Sequence, residues 1–177
     1  MSDSKNPEPV SVLFVCLGNI CRSTMAEGVF QSLTAPSHPL ISRIDSCGTG
    51  AYHIGSSPDS RTMSTLRSNG ITSYRHSARK FSPDKDFTDF QYILAMDDDN
   101  LEDLLALRQR RVKQVGSEEG VGKVMLFGEF GGKARKGRGE EVQDPYYGGE
   151  DGFRVAYDQS VKFGKVFLER LERGELS

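Results

Sequence analysis

Apolar and polar positions change rhythm several times along this chain. Residues 10–17, "VSVLFVCL", are apolar almost without interruption, the pattern of a strand buried on both faces. Residues 24–34 then follow a helical period, with Met25, Val29, Phe30 and Leu33 on one face. A weaker strand is predicted at 40–48, "LISRIDSCG". "SSPDSRTMSTLRSNG" predicts a helix with Ser57 at the N-cap, Pro58 in the first turn and Gly70 after the end. "FSPDKDF", 81–87, repeats that opening on a shorter segment. "FQYILAMDDDN", 90–100, is a buried strand running into acids, and "NLEDLLAL", 100–107, a helix. "GKVMLFG", 122–128, is another buried strand. A final helix covers 151–173, with Phe153, Tyr157, Val161, Phe167 and Leu171 near one face. The polar segments 108–121 and 129–143 are expected to be surface loops.

The order β-α-β-α-β-α-β-α with short apolar strands implies an α/β fold: a parallel sheet with helices on both faces, in three layers. Such sheets bind ligands outside the carboxyl ends of their strands. The chain has 177 residues, which suits one domain over 10–177 preceded by a mobile tail at 1–9.

Composition narrows the partners. With 23 Lys and Arg against 25 Asp and Glu, the net charge of −2 does not favour nucleic acid or an anionic membrane. No apolar run approaches membrane-spanning length, and "MSDSKNPEPV" carries no signal-peptide core. Three cysteines, Cys16, Cys21 and Cys47, suit a reducing compartment, hence a cytoplasmic protein. The Cys16-x4-Cys21 spacing lacks the second ligand pair of a structural zinc site, so no metal is expected.

The chemistry concentrates where the first strand ends. Gly18 and Asn19 are the residue types most tolerant of left-handed backbone angles. Alternating right- and left-handed residues turn successive N–H groups inward to form an anion-binding nest. The following helix adds unpaired N–H groups and its positive end, and Arg22 a two-pronged guanidinium. Cys16 sits where a negative charge is favoured, and the thiolate is the nucleophilic form of cysteine. Ser23 or Thr24 can donate a hydrogen bond to that sulfur. By itself, a cysteine at a strand end is commonly a small buried hydrophobe. Strand before, helix after and Gly-Asn between favour catalysis. A second cluster, "EEVQDPYYGG" at 140–149, offers the complementary group. Asp144 precedes Pro145, which restricts it to extended angles, and Tyr146 and Tyr147 can wall a slot for an aromatic ring. A phosphoryl group taken by a thiolate needs its leaving oxide protonated, and a carboxylic acid on a loop serves that end.

"VLFVCLGNICRS" near the start, "MD" after the third strand and "DPYYG" before the last helix together resemble the low-molecular-weight protein tyrosine phosphatases over residues 10–173. The resemblance implies a four-stranded parallel sheet of order 2-1-3-4 flanked by helices. It implies a metal-independent, cofactor-free hydrolase of phosphotyrosine in proteins or of small aryl phosphates, monomeric and inhibited by phosphate-like oxyanions. Cys16 becomes the nucleophile and Arg22 the holder of the phosphate oxygens, with backbone N–H groups of Leu17, Gly18, Asn19, Ile20, Cys21 and Arg22. Ser23 hydrogen-bonds the Cys16 sulfur. Asp144 becomes the general acid and then the base. Asn19 is held by Ser23, Ser46 and His76. Cys21 becomes a redox partner of Cys16. Leu17, Ile20, Tyr52, Tyr146 and Tyr147 line the substrate slot. Asp97 either approaches the phosphate loop or caps the following helix.

The chain departs from the family pattern at Thr24, where proline is usual; Thr24 with Glu27 is read as a capping box. It departs again in the basic, glycine-rich "GGKARKGRG" at 131–139, and Cys47 is read as packing. An arsenate reductase would need cysteines downstream of Cys47, and there are none. An aspartyl-phosphate enzyme at "AMDDDN" would leave the cysteine loop unexplained. A non-catalytic phosphate-binding module has no use for both Cys16 and Asp144. The basic runs at 108–113 and 133–138 are read as solvated surface, with docking of acidic phosphopeptides as the sharper alternative.

Overall fold

The apolar run near the start of the chain forms strand β1 (Val10–Cys16), buried from Ser11 onward. A computed structural model describes residues 8–132, 139–146, 149 and 151–176. After β1 come α1 (Arg22–Thr34), β2 (Ile41–Gly48), α2 (Ser60–Ser68), α3 (Pro83–Asp89), β3 (Tyr92–Ala95), α4 (Asp98–Val115), β4 (Lys123–Leu126) and α5 (Asp151–Glu172), with a short 3-10 turn at Glu129–Gly131. The strands pair in parallel in the order β2-β1-β3-β4, which is the expected order.

The two-residue period of β1 sorts its side chains between two cores. Val12, Phe14 and Cys16 face α1 and α5 and pack with Phe30, Phe163 and Phe167. Leu13 and Val15 face α3 and α4 and pack with Phe87, Ile93 and Leu104. A third cluster, built on Met25, Val29 and Leu66, joins the outer side of α1 to α2 and to Phe153 of α5. Cys47 is fully buried in the second core.

Several expectations need correction. Residues 108–115 are helical, not loop, because α4 runs on to Val115 and ends at Gly116 with φ 81°. Its later turns are held by polar contacts: Arg108 donates to the carbonyls of Gly122 (2.8 Å) and Val121 (3.2 Å). The N-cap of α2 is Asp59 rather than Ser57, and its side chain accepts the Arg61 N–H. The Thr24–Glu27 capping box does not form. Helix α1 starts at Arg22, and the Thr24 hydroxyl donates to the Cys21 carbonyl at 3.0 Å. Of the tail expected at 1–9, only Glu8 and Pro9 are among the described residues, and the basic run 133–138 lies outside them. Among the described residues no helix is long and apolar enough to cross a membrane.

The ring of Phe30 lies edge-on to both Phe14 (5.5 Å) and Phe167 (5.7 Å), bridging the sheet to α5. Phe30→Ala is expected to cost about 3–5 kcal/mol in urea unfolding, as for other large aromatic deletions in a close-packed core.

Candidate active site

Strand β1 delivers Cys16 to the carboxyl edge of the sheet, and the chain turns at once into α1. The turn depends on Asn19, at φ 59°, the described non-glycine residue in the left-handed region. Four groups hold that conformation. The Asn19 Nδ2 amide donates to the Oγ atoms of Ser23 and Ser46, both at 2.9 Å. Its Oδ1 accepts the Arg79 N–H at 3.1 Å and lies 2.7 Å from His76 Nε2. The Asn19 backbone N–H points at the Cys16 sulfur (3.3 Å), and Ser23 Oγ lies 3.0 Å from it. Amide and hydroxyl thus converge on a nearly buried sulfur, which is 3 % exposed.

The loop leans on the end of β2. The N–H groups of Thr49 and Gly50 donate to the carbonyls of Cys16 and Leu17, both at 2.9 Å. A Cβ at Gly48 would stand 2.5 Å from the Leu17 carbonyl oxygen, so only glycine allows this approach.

Beneath the loop sits Glu27, whose role periodicity and capping rules did not disclose. It accepts hydrogen bonds from Ser46 Oγ (2.7 Å) and the Tyr74 hydroxyl (2.8 Å). His76 Nδ1 lies 3.3 Å away. Burial pushes the Glu27 carboxyl up to about 7 and pushes the His76 imidazole down, so each is drawn toward its neutral form. Glu27, Asp45 and His76 lie close enough to share a cation. Arg79 already serves Asp45 at 3.1 Å, however, and Ser46 and Tyr74 serve Glu27.

Arg22 gathers the other side of the site. Its guanidinium is 4 % exposed and forms a short ion pair with Asp97. It also donates to the Val142 carbonyl at 3.1 Å, and its Nη2 lies 3.9 Å from Asp144 Oδ2. Asp97 therefore does both things considered for it: one oxygen meets Arg22, and the other caps α4 at the Asn100 N–H, 2.8 Å. Val142 N–H is tied to the Met96 carbonyl (2.8 Å), so the stem of the Asp144 loop is pinned to the end of β3.

These residues enclose a cavity of about 360 Å³. Cys16 and Arg22 belong to its lining with Leu17, Gly18, Ile20 and Cys21, and Tyr52, Asp144 and Tyr146 complete its wall. His53 is a further member that the sequence did not single out; its ring packs where a Gly18 side chain would be, 2.9 Å from an added Cβ. Ser23, Ser46 and His76 stand behind the lining, and Tyr147 lies outside the described residues.

The sequence from residue 11 to 175 matches the family model for low molecular weight phosphotyrosine protein phosphatase. The chain belongs to this family. A family member from Schizosaccharomyces pombe is 49% identical over 164 residues, covering 92% of this chain and 97% of that one. The Homo sapiens member is 40% identical over 161 residues, 90% of this chain and 94% of that one. Among solved structures, a protein tyrosine phosphatase from Entamoeba histolytica superposes with a TM-score of 0.78 at 35% identity, over 94% of this chain and 99% of that one. A Drosophila arginine phosphatase superposes at 0.76 with 32% identity, over 90% and 96%.

The three thiols of this family member differ sharply in environment. Burial, then the charges of Asp59, Cys16 and Asp144, push the Cys21 thiol up to about 12, and burial pushes Cys47 well above its ordinary value. Both stay protonated at neutral pH. Iodoacetate at pH 7 should therefore leave Cys21 and Cys47 largely unmodified, read by peptide mass mapping; rapid labelling of Cys21 would contradict its environment. Glu27→Ala leaves the hydroxyls of Ser46 and Tyr74 without their buried acceptor. It should cost about 2–4 kcal/mol in denaturant unfolding, roughly two unsatisfied groups.

Proposed function

We propose that this chain hydrolyses aryl phosphate monoesters, phosphotyrosine in proteins foremost, through a cysteinyl-phosphate intermediate. The observation that carries this is the convergence of one nucleophilic sulfur, one buried guanidinium and one loop carboxylate on a single cavity. In this reading the phosphate dianion settles on the amides of residues 17–22 with Arg22 across its oxygens, and Cys16 attacks in line. Asp144 protonates the departing phenolate and then takes a proton from the water that frees the phosphate. Ser23, 3.0 Å from the sulfur, eases its departure in the second step. The reaction asks for positioning and charge stabilisation, which these groups supply without a metal.

Leu17, Ile20, Tyr52 and Tyr146 give the cavity aromatic and aliphatic sides, which suit a phenyl ring. A second reading, phosphate removal from arginine, draws on the Drosophila neighbour. It fits less well, because among the described residues Asp144 is the one carboxylate lining the cavity to meet a guanidinium, and it already lies 3.9 Å from Arg22. Competitive inhibition by phosphate-like oxyanions, a monomeric state and a cytoplasmic setting belong to the same proposal.

Cys16→Ser should abolish turnover of a chromogenic aryl phosphate in the absence of added metal, while inorganic phosphate still protects the loop in NMR titration. Asp144→Ala should lose about 10²–10⁴-fold on phenyl phosphate, the usual range for a general acid, and far less on esters of acidic phenols. A uniform loss would remove Asp144 from the acid role, and faster release from phosphoarginine than from phosphotyrosine would replace the substrate class. Peroxide should inactivate the enzyme reversibly by joining Cys16 to Cys21. Equal recovery of Cys21→Ser after thiol treatment would end that idea.

A further inference from the structure

We propose that Arg61 is a positioning residue that latches the Asp144 loop to the phosphate loop. This rests on the assignment of Asp144 as general acid. Arg61 lies in the first turn of α2, and it is not among the residues lining the cavity. One side of its guanidinium is fixed by Asp59: Nε donates to Oδ1 and Nη2 to Oδ2, each at 3.0 Å. Asp59 in turn belongs to the phosphate loop's surroundings, because its N–H donates to the Ile20 carbonyl at 2.8 Å. The Asp59 carboxylate is held low chiefly by its hydrogen bonds with Arg61.

The other side of Arg61 reaches the acid loop. Nη1 donates to the Tyr146 carbonyl at 3.2 Å, and the guanidinium stands over the rings of Tyr146 (5.2 Å) and Phe153 (4.6 Å). Tyr146 is coupled directly to the acid, since Asp144 Oδ1 accepts the Tyr146 N–H at 3.0 Å. Val142 anchors the loop on the upstream side and Phe153 on the downstream side. Arg61 supplies the connection between them, and it refers the carboxylate's position to the loop that holds the phosphate. A planar fork is needed, because two oxygens of Asp59 and one carbonyl are engaged at once.

A residue that only stabilised α2 would, when replaced, lower stability and slow all substrates alike. A latch acts through Asp144 and so acts where leaving-group protonation limits the rate. Arg61→Gln should lower kcat for phenyl phosphate on the order of tenfold, the scale of a modest misplacement of a catalytic group, with little effect on esters of acidic phenols. The loss should disappear in an Asp144→Asn background. Arg61→Lys, which keeps the charge but not the fork, should recover only part of it. Hydrogen exchange should quicken at Tyr146 in Arg61→Gln while the amides of β1 keep their protection. Additive losses in the double variant, equal losses across leaving groups, or full activity of Arg61→Gln would each overturn the latch. If Asp144→Asn by itself shows no leaving-group dependence, the acid assignment fails and the latch falls with it; a leaving-group-dependent Asp144→Asn beside an additive Arg61→Gln removes the latch alone.

Discussion

A guanidinium held almost out of water at the first residue of a helix must find its counter-charges within the protein, and Arg22 finds them in segments remote in sequence. Asp97 comes from the end of β3, and Val142 and Asp144 from the excursion after β4. Removing such a cation from water costs several kcal/mol unless its partners are fixed. Here the two nearer partners are fixed. Asp97 caps α4, and Val142 is bonded to the Met96 carbonyl. The sheet order β2-β1-β3-β4 sets β1 beside β3, so the Cys16 loop and Asp97 share one edge. The fold thus brings the charge and its partners together before any ligand arrives.

The sulfur side is held differently, chiefly by hydrogen bonds that converge on Asn19. Asn19 in its left-handed conformation is fixed by Ser23, Ser46, His76 and Arg79, and Glu27 closes the network from below. Asn19, Ser23, Ser46 and Glu27 are buried where an unpaired polar group would be costly, and Arg79 contributes its backbone N–H. A loop held this way keeps the Asn19 N–H on the Cys16 sulfur, a donor set in place in advance.

Much of this was legible from residue order. Strands β1 and β3 announced themselves because a centrally placed parallel strand has no wet face and so cannot alternate; β2 and β4, at the sheet edges, are only partly buried, so the strand at 122–128 is less buried than expected. The tight turn after β1 did so because Gly and Asn between a strand and a helix suit one backbone geometry, and Asn19 takes the left-handed angle. Other features were hidden for physical reasons. The last turns of α4 carry "RQRRVKQV" and bury little, so their helix rests on Arg108 reaching the carbonyls of Val121 and Gly122, and hydrophobic periodicity cannot register that. Asp59 and Ser57 are equally good caps by residue type; the choice fell to Asp59 because its amide also bonds the Ile20 carbonyl. Glu27 looked like a first-turn acid, and only the packing of Tyr74 and His76 over it reveals a buried hub. Arg61 gave no sign because, beyond its neighbour Asp59, its partners Tyr146 and Phe153 are at least 85 residues away in sequence.

The pocket's contributors run from Cys16 near one end of the chain to Tyr146 just ahead of α5, whose aromatic rings complete the core beneath β1. During synthesis the Cys16 loop therefore leaves the ribosome long before Asp144 and the helix that packs beneath β1. A nascent chain carries the Cys16 sulfur without Asp144 beside it, and the cavity is complete only once the segment through α5 has been released and packed.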